Sequence, residues 1–353
     1  MENSTGKAKY SAILRQFVNR AVPWLPVREK LSYSKRVLVL GWKHLKYSRS
    51  SMLFFHCNIC GLKTSYPRTE MGREVPTCMH CGSTVRLRSI VHALSIELFG
   101  QSLPLADFPD RHDLAGVGLT DWDGYAIRLA KKFHYTNTYY HKEPLLDITS
   151  INTEQHGIYD FIVNSDVFEH ISPPISKAFE NAYRLLKPGG VMIFSVPFVA
   201  GETKEHFPDL HDYSIQKKSG DWVLFNRTSD GIDQEFSDLT FHGGPGTVIE
   251  MRVFGKDGLQ KSFKEAGFAS AKLHNEECLK YGIVWLPYNP EEAPYRPLVY
   301  GLDAPPWSLR KDSSGTGGSD FESKRVGTAP NNCAETMRSL PGLKTRQAKE
   351  ESR

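Results

Sequence analysis

The chain has 353 residues, enough for one large domain plus a small module or for two modest domains. Its 40% hydrophobic and 24% charged content is that of an ordinary globular protein, which argues against a fibrous or wholly disordered polymer. No window reaches the ~18 uncharged apolar residues of a membrane-spanning helix, and the first residues lack the apolar core of a secretory signal. A cytoplasmic protein is expected.

The net charge of +4 is unevenly spread. Residues 1–50 hold eleven Lys or Arg against Glu2 and Glu29, a local charge of +9 that leaves −5 for the remainder. This basic arm is expected to be solvated, with contact to nucleic acid or a membrane surface as the alternative. Within it Tyr10 to Leu25 has the spacing of an amphipathic helix. Arg36-Val-Leu-Val-Leu-Gly41 has the look of a nucleotide-binding first strand. It carries one glycine, however, is followed by bulky Trp42, and is read as structural.

Residues 51–100 are expected to hold a small metal module and a connecting helix. Two matched pairs, Cys57-Asn-Ile-Cys60-Gly61 and Cys78-Met-His-Cys81-Gly82, are separated by seventeen residues. That spacing fits a tetrahedral Cys₄ zinc site, a zinc ribbon with no open coordination position and hence a structural role. Two disulfides are the alternative, disfavoured in a chain without a secretory signal. The glycine after each pair would allow a tight turn whose N–H groups face the thiolates. His56 and His80 are spare nitrogen donors beside the pairs, and Arg68, Arg73, Arg86 and Arg88 would give the ribbon a positive surface able to meet nucleic acid. Cys278 and Cys333 are expected to be ordinary thiols. A helix follows at 84–99, with Val85, Ile90, Val91, Leu94 and Leu98 at helical spacing.

From 101 to 305 strand-like and helix-like runs alternate, which predicts an α/β domain with a mostly parallel sheet flanked by helices. The order is LAGVGL, YAIRLAKKF, YTNTYY, YDFIVNS, ISKAFENAYRLL and VMIFSVPF. Pro173 and Pro174 suit the first turn of the helix, and Lys187-Pro188-Gly189-Gly190 its end. Residues 199–256 form an insertion rich in His, Asp and aromatics, with a hairpin at WVLFNRT and IDQEF. Residues 306–353 are read as a disordered tail.

The stretch from Tyr159 to Phe198 resembles the fourth strand, following helix and fifth strand of class I (Rossmann-like) S-adenosylmethionine-dependent methyltransferases: an Asp-Phe strand entry, Glu169-His170-Ile171, then LLKPGG. The span from Cys57 to about 302, with GVGLTDWDGYA, YTNTYYHKEPLLDIT, HFPDLHDY and FHGGPGTVIEMRVF, is similar to bacterial methyltransferase-domain proteins carrying a zinc ribbon. The resemblance implies S-adenosylmethionine as cofactor. It places Asn164, Ser165 and Asp166 at the methionine end and Asp147 near the adenine. Gly116, Gly118 and Asp121 fall near the cofactor, either as a reduced first-strand glycine loop or as a second strand with Asp121 as the ribose acid. His170, His206, His211 and His242 are candidate bases for a hydroxyl acceptor. Glu169 and His170 are equally readable as a hydrogen-bonded helix entry. Glu205, His206, Asp209, His211 and Asp212 could bind a polar acceptor, a second metal, or nothing. The resemblance implies a glycan or other polar small molecule as acceptor. The opposing reading is an inactive methyltransferase-like protein that recruits a partner or nucleic acid through its ribbon and basic arm.

Overall fold

Apolar runs that alternate with amphipathic ones pair side by side, because a strand buried on both faces needs neighbours for its backbone and helices to cover it. The computed structural model of the protein describes residues 27–285, 304–313 and 322–323. In chain order the regular elements begin with α1 (Val27–Lys46), β1 (Met52–His56), β2 (Lys63–Pro67), α2 (Val85–Phe99), β3 (Arg111–Leu119), α3 (Asp123–Leu129) and β4 (Phe133–Thr138). Next come β5 (Tyr159–Ser165), α4 (Ser176–Leu185), β6 (Leu186–Ser195), β7 (Phe198–Val199) and β8 (Lys204–Glu205). The insertion continues with β9 (Asp212–Lys218), β10 (Asp221–Arg227), β11 (Asp233–Phe236), β12 (Phe241–His242), β13 (Val248–Ile249) and β14 (Arg252–Gly255). Last are α5 (Lys256–Glu265), β15 (Ser270–Leu273), β16 (Trp307–Arg310) and β17 (Glu322–Ser323).

The central sheet has the order β17-β15-β16-β6-β5-β3-β4. Strands β6, β5, β3 and β4 run parallel to one another, and β16 is antiparallel to both β6 and β15. The architecture is therefore the expected α/β one with a mostly parallel, Rossmann-like sheet. GVGL lies in β3, one strand in from the edge, with the following strand YTNT on its outer side and β5 on its inner side. This settles the two alignments in favour of a first strand. The chain changes direction between β3 and β5, and at such a switch point the loops leaving the strand ends diverge and open a crevice.

Three expectations about boundaries change. Helix α4 starts at Ser176, beyond the two prolines, and passes directly into β6 at Leu186. Pro188 and Gly189 thus sit inside β6, where the pairing with β5 slips between Tyr159/Leu186 and Phe161/Val191. The assigned tail begins too early: Trp307, Ser308 and Leu309 are buried in the sheet, and Arg310 pairs with Glu97 of α2 at 2.6 Å. A four-residue strand set among Pro, Ser and Lys has no periodic signal of its own; its stability comes from the strands on either side. Cys278 is disulfide-bonded rather than a plain thiol.

The amphipathic segment at 10–25 and Cys333 lie outside the described residues. Arg36–Gly41 is helical, within α1, whose Tyr33 and Leu40 are buried. Arg36 donates to the carbonyls of Met79 (3.0 Å) and His80 (3.1 Å), tying α1 to the ribbon.

The ribbon is not a separate bead on the chain. Helix α2 is capped by the Thr84 hydroxyl, which accepts from Leu87 N, and it ends at left-handed Gly100. Its residues from Ile90 to Ser95 are all buried, as befits a helix enclosed on every side. Cys57, Cys78, Ile90, Leu94, Tyr125, Phe161 and Val191 belong to a single apolar cluster, so the cysteine module and the sheet share a core. No described helix is long and apolar enough to cross a membrane.

Candidate functional site

Three groups of chemistry-bearing side chains stand out. The first is the cysteine module. Cys57 Sγ lies 3.6 Å from Cys81 Sγ, and Cys60 Sγ lies 3.7 Å from Cys78 Sγ. Four sulfurs about 2.3 Å from a tetrahedral zinc ion are separated by about 3.8 Å, so the cluster is compatible with zinc. Gly61 and Gly82 adopt left-handed backbone, as expected. Their amides, however, donate to the carbonyls of Cys57 and Cys78 (2.8 Å each) and close the turns on the backbone instead of facing the thiolates. The Ser83 hydroxyl sits 3.2 Å from Cys57 Sγ. The buried Arg88 guanidinium donates to Ser83 O, Thr77 Oγ1 and Gly282 O, and supplies positive charge beside the four sulfurs. His56 is exposed, and His80 Nε2 bonds Lys63 O at 3.0 Å.

Most of the expected positive surface of the ribbon is turned inward. Arg73 and Arg88 are buried, and Arg86 is largely so. Arg68 pairs with Glu277 at 2.7 Å. Arg73, Arg86 and Arg88 are thus engaged inside the protein, and of the four only Arg68 stays at the surface.

The second group is at the switch point, where those arginines go. Arg73 donates to both oxygens of Asp166 (2.9 and 2.7 Å), to Ser195 Oγ (2.8 Å) and to Ala304 O (3.3 Å). Arg86 reaches Asp166 at 3.1 Å, donates to Glu74 at 2.7 and 2.9 Å, and donates to the Ser165 hydroxyl. Burial pushes the Asp166 carboxyl up, but the two guanidiniums beside it outweigh that and hold it at about 2. Asn164 is fully buried, its Nδ2 donating weakly to Ser195 O (3.4 Å) and its Oδ1 making no hydrogen bond.

At the end of β3, Asp121 is buried and accepts from the hydroxyls of Tyr125 (2.6 Å) and Tyr135. Burial raises its carboxyl to about 7. Gly116 and Gly118 are strand residues: a Cβ at Gly116 would enter the Phe161 ring, and one at Gly118 would collide with the Tyr135 hydroxyl and Asp121. The two glycines thus make room for side chains of the protein itself. Asp147 is half-buried, and its Oδ1 accepts from the Thr149 amide (2.8 Å) and hydroxyl (2.7 Å). No full strand precedes it beyond β4, only a bridge between Tyr139 and Leu145. Thr120 and Asp166, each just past a strand flanking the switch point, both have positive φ (57° and 54°). For a β-branched threonine this is a strained conformation, of the kind that concentrates at ligand sites.

The third group lies between the turn after β5 and the insertion. His170 Nδ1 meets Ile249 O at 2.7 Å, and its Nε2 is 3.0 Å from His242 Nδ1. His242 Nε2 is 2.9 Å from Glu250 Oε2, whose other oxygen contacts His206 Nε2 at 3.0 Å. Three of the four candidate bases therefore converge. His211 stands apart and is exposed, its amide donating to Asn226 Oδ1. Glu169 and Glu250, each 2% exposed, complete the group. Burial, with the Asp166 charge nearby, pushes the Glu169 carboxyl well above its usual range. Glu250 is held below the usual range: burial opposes this, and the two histidines prevail. The contribution of Glu250 was not visible in the sequence, where it stands alone in a hydrophobic run.

Residues 123–273 match a family model described as a methyltransferase domain. No curated protein matches the sequence. Among solved structures the chain is similar to the 1,6-didemethyltoxoflavin-N1-methyltransferase of Burkholderia thailandensis, at 11% identity over 64% of this chain and 78% of that one (TM-score 0.34). It is also similar to an amino pentose methyltransferase from Micromonospora echinaspora, at 12% identity over 65% and 92% (TM-score 0.32). A third likeness is to a sugar N-methyltransferase from a Streptoalloteichus species, at 10% identity over 65% and 87% (TM-score 0.33).

Proposed function

We propose, from the match of residues 123–273 to a methyltransferase-domain family model, that the protein is an S-adenosylmethionine-dependent methyltransferase acting on a polar small molecule or glycan. Its ribbon would hold a structural zinc ion on Cys57, Cys60, Cys78 and Cys81. The observation that carries the reading is the cluster of polar side chains at the β3/β5 switch point, where Arg73, Arg86 and Asp166 meet beside Asn164 and where Thr120 and Asp166 both take positive φ.

The residues there suit the amino-acid end of the cofactor. Arg73 and Arg86 offer guanidiniums to a carboxylate, Asp166 offers a carboxylate to an ammonium, and Asn164 keeps an unsatisfied carbonyl oxygen at the strand end. Arg86 is bound to the half-exposed Glu74, a partner it can exchange for a ligand. When bound, S-adenosylmethionine supplies an activated methyl group on a sulfonium that is already a good leaving group. The protein's own work is then alignment and exclusion of water. A hydroxyl acceptor needs a proton taken up, and His170, His206 and His242 stand together to receive one.

One observation favours a second reading, a binding protein without turnover. The faces of Gly116 and Gly118 are filled by protein side chains, and Asp121 is sealed by two tyrosines. Calorimetric titration of the full-length, zinc-loaded protein with S-adenosylhomocysteine separates the two. Micromolar one-site binding that weakens at least tenfold in Asp147→Ala supports the enzyme. Absence of heat with either S-adenosylmethionine or its product gives the lead to the binding protein.

A further inference from the structure

We propose that Glu169, His170 and His242 form a second metal site, distinct from the cysteine cluster, that takes a divalent first-row transition ion such as Zn²⁺ or Mn²⁺. One donor atom from each of the three lies within 4.8 Å of the other two. His170 Nε2 and His242 Nδ1 are 3.0 Å apart, and Glu169 Oε1 is 3.8 Å from His170 Nε2. Donors about 2.0–2.2 Å from one ion are separated by about 3–4 Å, so a single ion can reach all three.

The orientation of the two rings suits an ion. His170 Nδ1 faces a carbonyl that can only accept, Ile249 O at 2.7 Å, so that nitrogen carries the proton and a neutral ring leaves Nε2 as a lone pair. His242 Nε2 lies 2.9 Å from the carboxylate of Glu250, and a neutral ring with its proton on that side turns an Nδ1 lone pair toward His170. The facing nitrogens of the two rings are 3.0 Å apart, close enough to be bound by one ion. This is also how metal-bound imidazoles are held, with the far N–H donated to a carbonyl or carboxylate that fixes the ring. Glu250 is itself braced by His206 at 3.0 Å.

Glu169 supplies an independent observation. Its side chain is 2% exposed, and neither carboxylate oxygen makes a hydrogen bond. A network of hydrogen-bonded histidines that merely fastened the insertion to the sheet would have no use for it. A buried carboxylate left this way is costly, and a coordinated cation compensates it. The backbone around it is fixed: Glu169 O accepts from Met251 N (2.8 Å), and Phe168 O accepts from buried Arg252 (2.8 Å). Two imidazoles and a carboxylate suit borderline divalent ions better than Ca²⁺ or Mg²⁺. Three protein donors leave coordination positions for exchangeable oxygen ligands. The site stands on this geometry and does not depend on the methyltransferase reading.

The test is the metal content of the full-length protein after equilibration with Zn²⁺ and removal of free ion. Wild type is expected to hold two ions per chain, and Glu169→Gln and His242→Ala one each, with unchanged circular dichroism. Mn²⁺ added to protein with a zinc-filled cysteine site should enhance water proton relaxation, and Glu169→Gln should abolish the enhancement. One ion per chain in wild type, or a second ion retained in folded Glu169→Gln, would overturn the proposal.

Discussion

The cysteine module and the switch-point crevice differ in how they are assembled. All four sulfurs of the module come from one short stretch, Cys57 to Cys81, and two tight turns bring them together. The crevice is built from strand ends far apart in sequence, and arginines from the module close it: Arg73 and Arg86 reach Asp166 across 93 and 80 positions of the chain. The module therefore does more than decorate the domain. It shares a core with Phe161 and Val191 and supplies the positive charge at the place where the sheet opens.

This contrast predicts a hierarchy of effects. Removing zinc should be the most damaging perturbation. Cys57 and Cys78 are fully buried in the common core, and structural zinc contributes about 10–16 kcal/mol in small modules. A high-affinity thiol-competing chelator should abolish the cooperative thermal transition of the whole described domain. Loss of a small early transition with the main one intact would show that the module is independent after all. Arg73→Ala comes next, because it leaves Asp166 and Ser195 without their main donor; breaking a buried pair typically costs about 3–5 kcal/mol. Urea denaturation should register that loss, and Asp166→Asn in the same chain should restore part of it.

Asp121 gives a smaller effect that is read as a slope. Its folded carboxyl sits at about 7, above the value of a free aspartate, so the folded state binds the proton more tightly. The stability it contributes is full below about pH 4 and declines as pH rises through 7. Asp121→Asn should flatten the decline in unfolding free energy between pH 4.5 and 7.5. An identical slope in the variant would mean that another group titrates there.

The fold was legible where the chain has long periodic or strongly punctuated segments. β5, α4 and β6, and the helix from Val85 to Phe99, carry their own patterns. The strand at Trp307–Arg310 is four residues long and owes its existence to β6 and β15, which a local reading cannot supply. The same holds for the site. Cysteine spacing announces the four-sulfur cluster because its members are close in sequence. The convergence of His206 and His242 on Glu250, with His170 joined through His242, depends on an insertion folding back over the strand ends. Gly116 and Gly118 illustrate the reverse case, since a glycine pair beside a strand end has the same signature whether it admits a ligand or an aromatic ring. Arg73 and Arg86 were visible as charge, but their direction, inward to Asp166, was not.

Hydrogen–deuterium exchange of the full-length, zinc-loaded protein with and without saturating S-adenosylhomocysteine tests the central claim most directly. Protection is expected only at the ends of β3 and β5, at residues 119–123 and 164–166, and in the segment around Arg86. Unchanged exchange in these peptides, or protection only elsewhere in the chain, would contradict a cofactor site at the switch point.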